Sequence, residues 1–164
     1  MLNESCCNLF NQEQKERIQD MLIEVCCPDL ASVHRAVEGG ADRIELCRDL
    51  ALDGLTPSRE DIREAVTICH ANGVKVHVLV RSREGDFVYN EAEVNQMSQE
   101  IIMSLEEGVD GIVIGALTKD GALDIPTCQK WIAVAREWQK EHASAAELGI
   151  TFHRAFDVCS NPMQ

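Results

Sequence analysis

Residues 38–46 read Glu-Gly-Gly-Ala-Asp-Arg-Ile-Glu-Leu, which combines a helix end, glycine and a short apolar strand. The same order returns three times, at residues 72–79, 106–114 and 147–152. Glycine just past a helix supplies the left-handed C-cap conformation, and the β-branched run after it predicts a strand. The corresponding glycines are Gly40, Gly73, Gly108 and Gly149. Their spacing is that of a βα unit, so the repeat predicts alternating helices and strands.

The segments between these strands are amphipathic and carry helix-start signals. We predict helices at about residues 30–38, 58–69, 91–107 and 126–141, with Asp29 and Ser58 as the N-caps of the first two. Four strand–helix units followed by a fifth strand imply a parallel sheet with right-handed crossovers.

Two parallel architectures compete, an open doubly wound sheet and a (β/α)8 barrel. A doubly wound sheet usually carries a glycine-rich phosphate loop after its first strand, whereas residues 26–29 here read Cys-Cys-Pro-Asp. Polar residues also follow the carboxyl ends of several strands, which is how barrel enzymes build their sites. We therefore favour an α/β fold of the (β/α)8 TIM-barrel type.

Composition excludes several classes of function. The formal net charge is −13 and no basic run exists, so nucleic acid and anionic membrane surfaces are not expected partners. Neither a signal-peptide segment nor a membrane-spanning run is visible, and we predict a soluble, cytoplasmic protein. Most of the eight cysteines fall in or beside periodic segments, which indicates reduced thiols rather than a disulfide scaffold.

Charged and sulfur-bearing side chains share rows on the predicted strands. Residues i and i+2 of a strand face the same way, so each row combines groups that need partners when buried. The rows are Glu24 with Cys26, Arg43 with Glu45 and Cys47, and Thr151 with His153. These side chains must face each other, a ligand or a metal.

Five ordered strings of the chain are similar to the CutC copper-homeostasis family. They lie at residues 21–26, 39–47, 85–89, 115–121 and 151–157. The resemblance implies a (β/α)8 barrel and copper binding, trafficking or tolerance in the cytosol. Residues 162–164 lie where the fifth helix should begin, so we expect about three βα units of a full barrel to be absent. We predict an N-terminal appendage at residues 1–20 and a partial barrel of about five parallel strands and four helices at residues 21–164.

Cys26 and Cys47 are the candidate metal ligands. They lie at the ends of adjacent strands on inward rows, where neighbouring strands are about 4.8 Å apart. Soft thiolates select Cu(I) over hard ions, so we expect copper as the bound ion. Cys27 faces the other way in a regular strand. Cys69, Cys128 and Cys159 are interpreted as packing residues.

The remaining polar residues support an alternative, a barrel enzyme that acts on a small anionic metabolite by acid–base or metal-assisted chemistry. Its catalytic candidates are Glu24, Glu45, His153 and Asp157, and its substrate-binding candidates are Arg43, Arg81 and Arg154. Arg43 could equally pair with Glu24 or Glu45 and serve structure alone. Both hypotheses stay open at this stage. The unpaired edges of a five-stranded piece also predict a homo-oligomer.

Overall fold

A computed structural model describes residues 21–142 and 147–161 of the 164-residue chain. The strands are β1 Glu24–Cys27, β2 Arg43–Leu46, β3 Lys75–Leu79, β4 Gly111–Ile114 and β5 Gly149–Phe152. The α-helices are α1 Leu30–Glu38, α2 Arg59–His70, α3 Glu91–Glu106 and α4 Ile125–Glu141. Short 3₁₀ turns occupy Leu50–Leu52 and Arg154–Val158. The predicted appendage at residues 1–20 lies outside the described residues.

The five strands form one parallel sheet in the order β1-β2-β3-β4-β5. Each strand pairs with the next one along the chain, and Cys26 lies opposite Glu45 on β2. The strands alternate with α1 to α4, which confirms the predicted partial barrel of TIM type. Within the described residues the sheet is open, with β1 at one edge and β5 at the other.

The helices begin at residues that the sequence marks as caps. Asp29 accepts a hydrogen bond from the backbone N–H of Ser32 in a capping box, and Ser58 accepts one from Asp61. Each cap satisfies a backbone donor that the first turn leaves without a partner. The predicted caps of the first two helices are therefore confirmed. Among the helices of residues 21–142 and 147–161, none combines the length and the hydrophobicity that a membrane span requires.

The main apolar core lies between the sheet and its helices. Alternate strand residues such as Ile44, Val76 and Ile112 are fully buried there, and Trp131 of α4 is buried with them. The other face, which we call the inner face, carries the opposite strand residues. A small separate cluster of Cys47, Leu79 and Val113 lies on it. The alternation therefore separates the main apolar core from the side chains of the inner face.

Three of the four repeated glycines behave as predicted, and one does not. Gly40, Gly73 and Gly108 have positive φ angles just past their helices. Gly149 opens β5 instead, so its predicted role as a C-cap is wrong. A Cβ at Gly149 would lie 2.5 Å from Cε1 of His77, and one at Gly111 would lie 2.4 Å from Nε2 of the same ring. These two glycines make room for the imidazole of His77 on the inner face.

Candidate functional site

The inner face of β1 and β2 brings two thiols into contact. The Sγ atoms of Cys26 and Cys47 are 3.7 Å apart. The backbone N–H of Cys47 donates to the carbonyl of Cys27 at 3.0 Å, so the strand pairing continues past the end of β2 and fixes both side chains. Cys26 is exposed, whereas Cys47 is buried. The pair therefore has one solvent-accessible sulfur, that of Cys26, and one buried sulfur, that of Cys47.

The two thiols share a hydrogen bond that makes them unequal acids. This hydrogen bond lowers the pKa of Cys26 and raises the pKa of Cys47. Burial raises the pKa of Cys47 further, and the carboxyl group of Glu45 opposes a negative charge on either sulfur. Cys26 is therefore the sulfur that ionises first, with Cys47 as its hydrogen-bond donor.

Three other cysteines of the described residues pack in or against the main core instead. Cys27 packs in the core between sheet and helices, and burial raises its pKa to about 11. Cys69 is fully buried in the same core, and Cys128 packs against it. In the part of the chain that the structure describes, no cluster of three or more His, Cys, Asp or Glu residues could hold a metal ion. Cys26 and Cys47 are thus a pair of thiols without a third such side chain beside them in these residues.

A cavity of about 250 Å³ adjoins the thiol pair. Its wall combines strand ends with the loop after β2 and the turn after β5. The lining residues are Cys26, Glu45, Cys47, Leu50, Asp53, Gly54, Leu79, His153 and Arg154. Gly54 has a φ of 83°, and a Cβ there would lie 2.7 Å from the Leu79 side chain. Glycine therefore lets the loop after β2 approach the inner face closely.

His153 lies at the start of the turn that follows β5. Its Nδ1 accepts a hydrogen bond from the backbone N–H of Ala155 at 3.1 Å. The ring lies over Gly115, where a Cβ would be only 2.5 Å from Cε1, and contacts the ring of Phe87. Burial, with the nearby positive charge of Arg81, lowers the pKa of His153 to about 4. The imidazole is neutral at pH 7, and its buried Nε2 has no hydrogen-bond partner.

Arg81 is buried beneath this site rather than exposed in it. Its guanidinium donates to the carbonyl oxygens of Leu52 and Gly54 in one loop and of Gly85 in the next. It also lies over the ring of Phe87. These contacts fix the two loops to each other and do not line the cavity.

The remaining predicted residues are divided between the site and the surface. Arg43 pairs with Glu24 near the opposite end of the strands, where both side chains are about one quarter exposed. Glu45 lines the cavity, and its pKa is raised by burial and by the charge of Glu24. Arg154 also lines the cavity and pairs with Asp53. Asp157 is exposed and lies outside the cavity wall.

A model of the CutC family matches residues 21–164, which is most of the chain. The chain belongs to the CutC family. It is 44% identical over 142 residues to a CutC family protein of Vibrio parahaemolyticus, covering 87% of this chain and 53% of that one. A relative from Pasteurella multocida is 42% identical over 143 residues, with the same coverage of each chain. The chain therefore spans about half the length of the curated relatives that it matches.

Solved structures agree with the CutC assignment. A Streptococcus agalactiae chain, provisionally named the copper homeostasis protein CutC, is 33% identical with a TM-score of 0.75, over 85% of this chain and 61% of that one. A Burkholderia cenocepacia chain, provisionally named a phosphonomutase, shares 20% identity over 80% of this chain and 54% of that one, with a TM-score of 0.51. The second likeness shows the fold alone.

The loop after β2 gives this CutC-family chain site residues that the sequence analysis missed. Leu50, Asp53 and Gly54 line the cavity. Asp53 pairs with Arg154, which lies in the turn after β5. The dipeptide Asp53-Gly54 is a turn signal and predicts the bend itself. The ion pair joins residues 101 positions apart, so no local pattern could indicate it.

Proposed function

We propose that this chain binds Cu(I) through Cys26 and Cys47 and serves copper trafficking or tolerance in the cytosol. The observation that carries the proposal is the distance of 3.7 Å between the two sulfur atoms, beside a cavity. This distance is shorter than two metal–sulfur bonds of about 2.3 Å each, so both sulfurs could ligate one ion. Thiolates are soft ligands and favour Cu(I).

The acid–base state of the pair suits a soft cation. Cys26 ionises first, and Cys47 gives up its proton when the ion binds, because a metal ligates the thiolate rather than the thiol. Ion binding therefore releases protons, and Cu(I) affinity should rise with pH. The Streptococcus agalactiae structure, named for copper homeostasis, supports the same role.

Anaerobic Cu(I) titration against a chromophoric chelator tests the proposal. We expect Cys26→Ser and Cys47→Ser each to lose most of the Cu(I) binding. Cys27→Ala is the matched control, since this neighbouring thiol lies on the opposite face of β1. Cys69→Ser and Cys128→Ser should also bind Cu(I) normally. Unchanged Cu(I) stoichiometry in the Cys26/Cys47 double variant would contradict the proposal.

The cavity also supports the alternative enzyme function. A neutral His153 and the carboxyl group of Glu45, whose pKa is raised, line one space, as acid–base chemistry on a small anionic metabolite requires. Turnover of a panel of small phosphates and carboxylates is the test. Turnover that is lost in Glu45→Gln and kept in the Cys26/Cys47 double variant would favour the enzyme over the copper site.

A further inference from the structure

His153 lines the cavity, and its ring carries a buried hydrogen-bond donor that no group of the described residues uses. Nδ1 accepts from the N–H of Ala155, so the neutral ring carries its proton on Nε2. The ring is 7% exposed, and Nε2 has no partner. Buried polar groups normally have partners, and one that lacks a partner within the protein favours a ligand that supplies it. A protonated Nε2 has no free lone pair, so His153 in this tautomer is not a ligand for the metal.

The same cavity holds the two sulfurs and charged groups of both signs. Arg154 lines it together with the carboxyl groups of Glu45 and Asp53. Its volume of about 250 Å³ leaves room for a small molecule.

The thiol pair leaves a bound Cu(I) open to a further ligand. No third His, Cys, Asp or Glu side chain completes a metal-binding cluster with the pair anywhere in residues 21–142 and 147–161. A third sulfur can then come from outside the described residues, and the adjoining cavity is a place from which it can reach the ion.

We propose that the cavity binds a low-molecular-weight thiol that carries a carboxylate. The inference rests on the proposed Cu(I) site. The ligand's sulfur binds the Cu(I) held by Cys26 and Cys47, and its carboxylate accepts the hydrogen bond from Nε2 of His153. The ligand's thiol proton passes to solvent as the copper–sulfur bond forms, and no electron is transferred. Such a thiol is the partner from which Cu(I) arrives or to which it leaves.

Three probes test the copper–sulfur bond and the carboxylate hydrogen bond separately. Glutathione carries both a thiol and carboxylates, S-methylglutathione keeps the carboxylates without the thiol, and 2-mercaptoethanol has a thiol without a carboxylate. In calorimetric titrations of the Cu(I)-loaded chain under anaerobic conditions, we expect glutathione to bind about tenfold or more tightly than 2-mercaptoethanol, the ratio given by one charge-assisted hydrogen bond. S-methylglutathione should bind more weakly than glutathione.

Two substitutions at His153 test the donor. His153→Asn keeps a side-chain oxygen that can accept from Ala155 but removes the group that reaches as far as Nε2. His153→Gln carries an amide N–H to about the position of Nε2. We expect His153→Asn to abolish the preference for glutathione over 2-mercaptoethanol and His153→Gln to retain it. Equal affinities of the two thiols in the unsubstituted chain, or an unchanged preference in His153→Asn, would overturn the inference.

Two further measurements keep the outcomes distinct. Cu(I) stoichiometry is measured on the same samples against the chelator without added thiol. A chain that binds no Cu(I) contradicts both proposals, whereas Cu(I) binding without a preference for glutathione contradicts this one alone. The ¹⁵N signal of His153 Nε2 in the unsubstituted, Cu(I)-loaded chain gives a readout that needs no variant. We expect it to shift with glutathione and not with 2-mercaptoethanol, and an unmoved signal with glutathione counts against the inference.

Discussion

At the residue scale, the hydrogen bond between Cys26 and Cys47 determines which sulfur is reactive. A thiolate is the nucleophile in alkylation, so reactivity follows the fraction of each thiol that is ionised. Cys26 has a lowered pKa and is exposed, whereas the pKa of Cys27 is raised to about 11 by burial. Adjacent residues of one strand therefore differ sharply in chemistry.

We predict that iodoacetamide modifies Cys26 faster than any other cysteine in the described ranges 21–142 and 147–161. Cys47→Ala removes the hydrogen-bond donor, so the pKa of Cys26 should rise and its alkylation at pH 7.5 should slow. Peptide mass spectrometry over a time course measures both rates. Equal rates for Cys26 and Cys27, or no slowing in Cys47→Ala, would contradict the assigned direction of the shared proton.

The sequence predicted the thiol pair because the two-residue period of a strand fixes which side chains share a face. Cys26, Glu45 and Cys47 are together on the inner face for that reason. The order in which the thiols ionise could not be predicted, since it depends on the distance between them and on burial. The partnerless Nε2 of His153 also depends on tertiary contacts, because Phe87 and Gly115 enclose the ring.

At the scale of the elements, Arg81 connects the loop after β2 with the loop after β3. Three carbonyl oxygens in these loops accept its hydrogen bonds, and its side chain is almost wholly buried. From the sequence, Arg81 is a candidate for binding an anionic substrate, which stays a prediction. The contacts that the structure shows are with the backbone.

Arg81→Met should destabilise the chain by about 3 kcal/mol, since hydrogen bonds to a charged group contribute more than neutral ones and the carbonyls lose their donor. Urea unfolding measures this change. Arg59→Met is the control, because Arg59 forms partly exposed ion pairs with Glu106 and Glu107 and should cost about 1 kcal/mol or less. Equal losses in the two variants would show that Arg81 does not hold the loops.

Gly149 illustrates where the local sequence pattern is insufficient. The repeat predicted a C-cap there because the glycine follows the pattern of Gly40, Gly73 and Gly108. Glycine is required at position 149 because the ring of His77 leaves no room for a Cβ there. His77 lies on another strand and is 72 positions away in the chain. Helix positions and caps were predictable from local periodicity, whereas this packing was not.

We expect Gly149→Ala to destabilise the chain by about 1–3 kcal/mol, the usual cost of overfilling a packed site. The cause should be the contact with His77, since the added Cβ would lie 2.5 Å from Cε1. In a His77→Ala background the same substitution should cost much less. A double-mutant cycle by urea unfolding gives the coupling, and additive losses would show that His77 is not the cause.

At the scale of the whole molecule, both edges of the sheet are open in the described residues. The three residues before β1, Met21, Leu22 and Ile23, are 64%, 52% and 50% exposed. They extend the β1 edge with an apolar surface. Exposed edges and apolar patches promote association between chains.

We propose that the 164-residue chain forms homo-oligomers through the β1 edge. Sedimentation at micromolar concentration should show species larger than a monomer. Ile23→Lys should reduce association, since a charge on an edge opposes pairing with another strand. Lys substitution at Ile132, an exposed apolar residue of α4, is the control and should leave it unchanged. A monodisperse, cooperatively melting monomer would refute the proposal.

Because Cys26 and Cys27 are adjacent in β1, a one-residue shift in the register of this strand would still leave a cysteine on the inner face. A shift of one residue turns every side chain of a strand to the opposite face, which usually removes a site completely. Here the shift would carry Cys27 to the inner face as Cys26 leaves it, since the two are consecutive in β1. A sulfur would face Cys47 in either register. A single-residue insertion or deletion before Cys26 could therefore keep a pair of thiols. It would destabilise the fold instead, because Cys27 would leave its place in the main core.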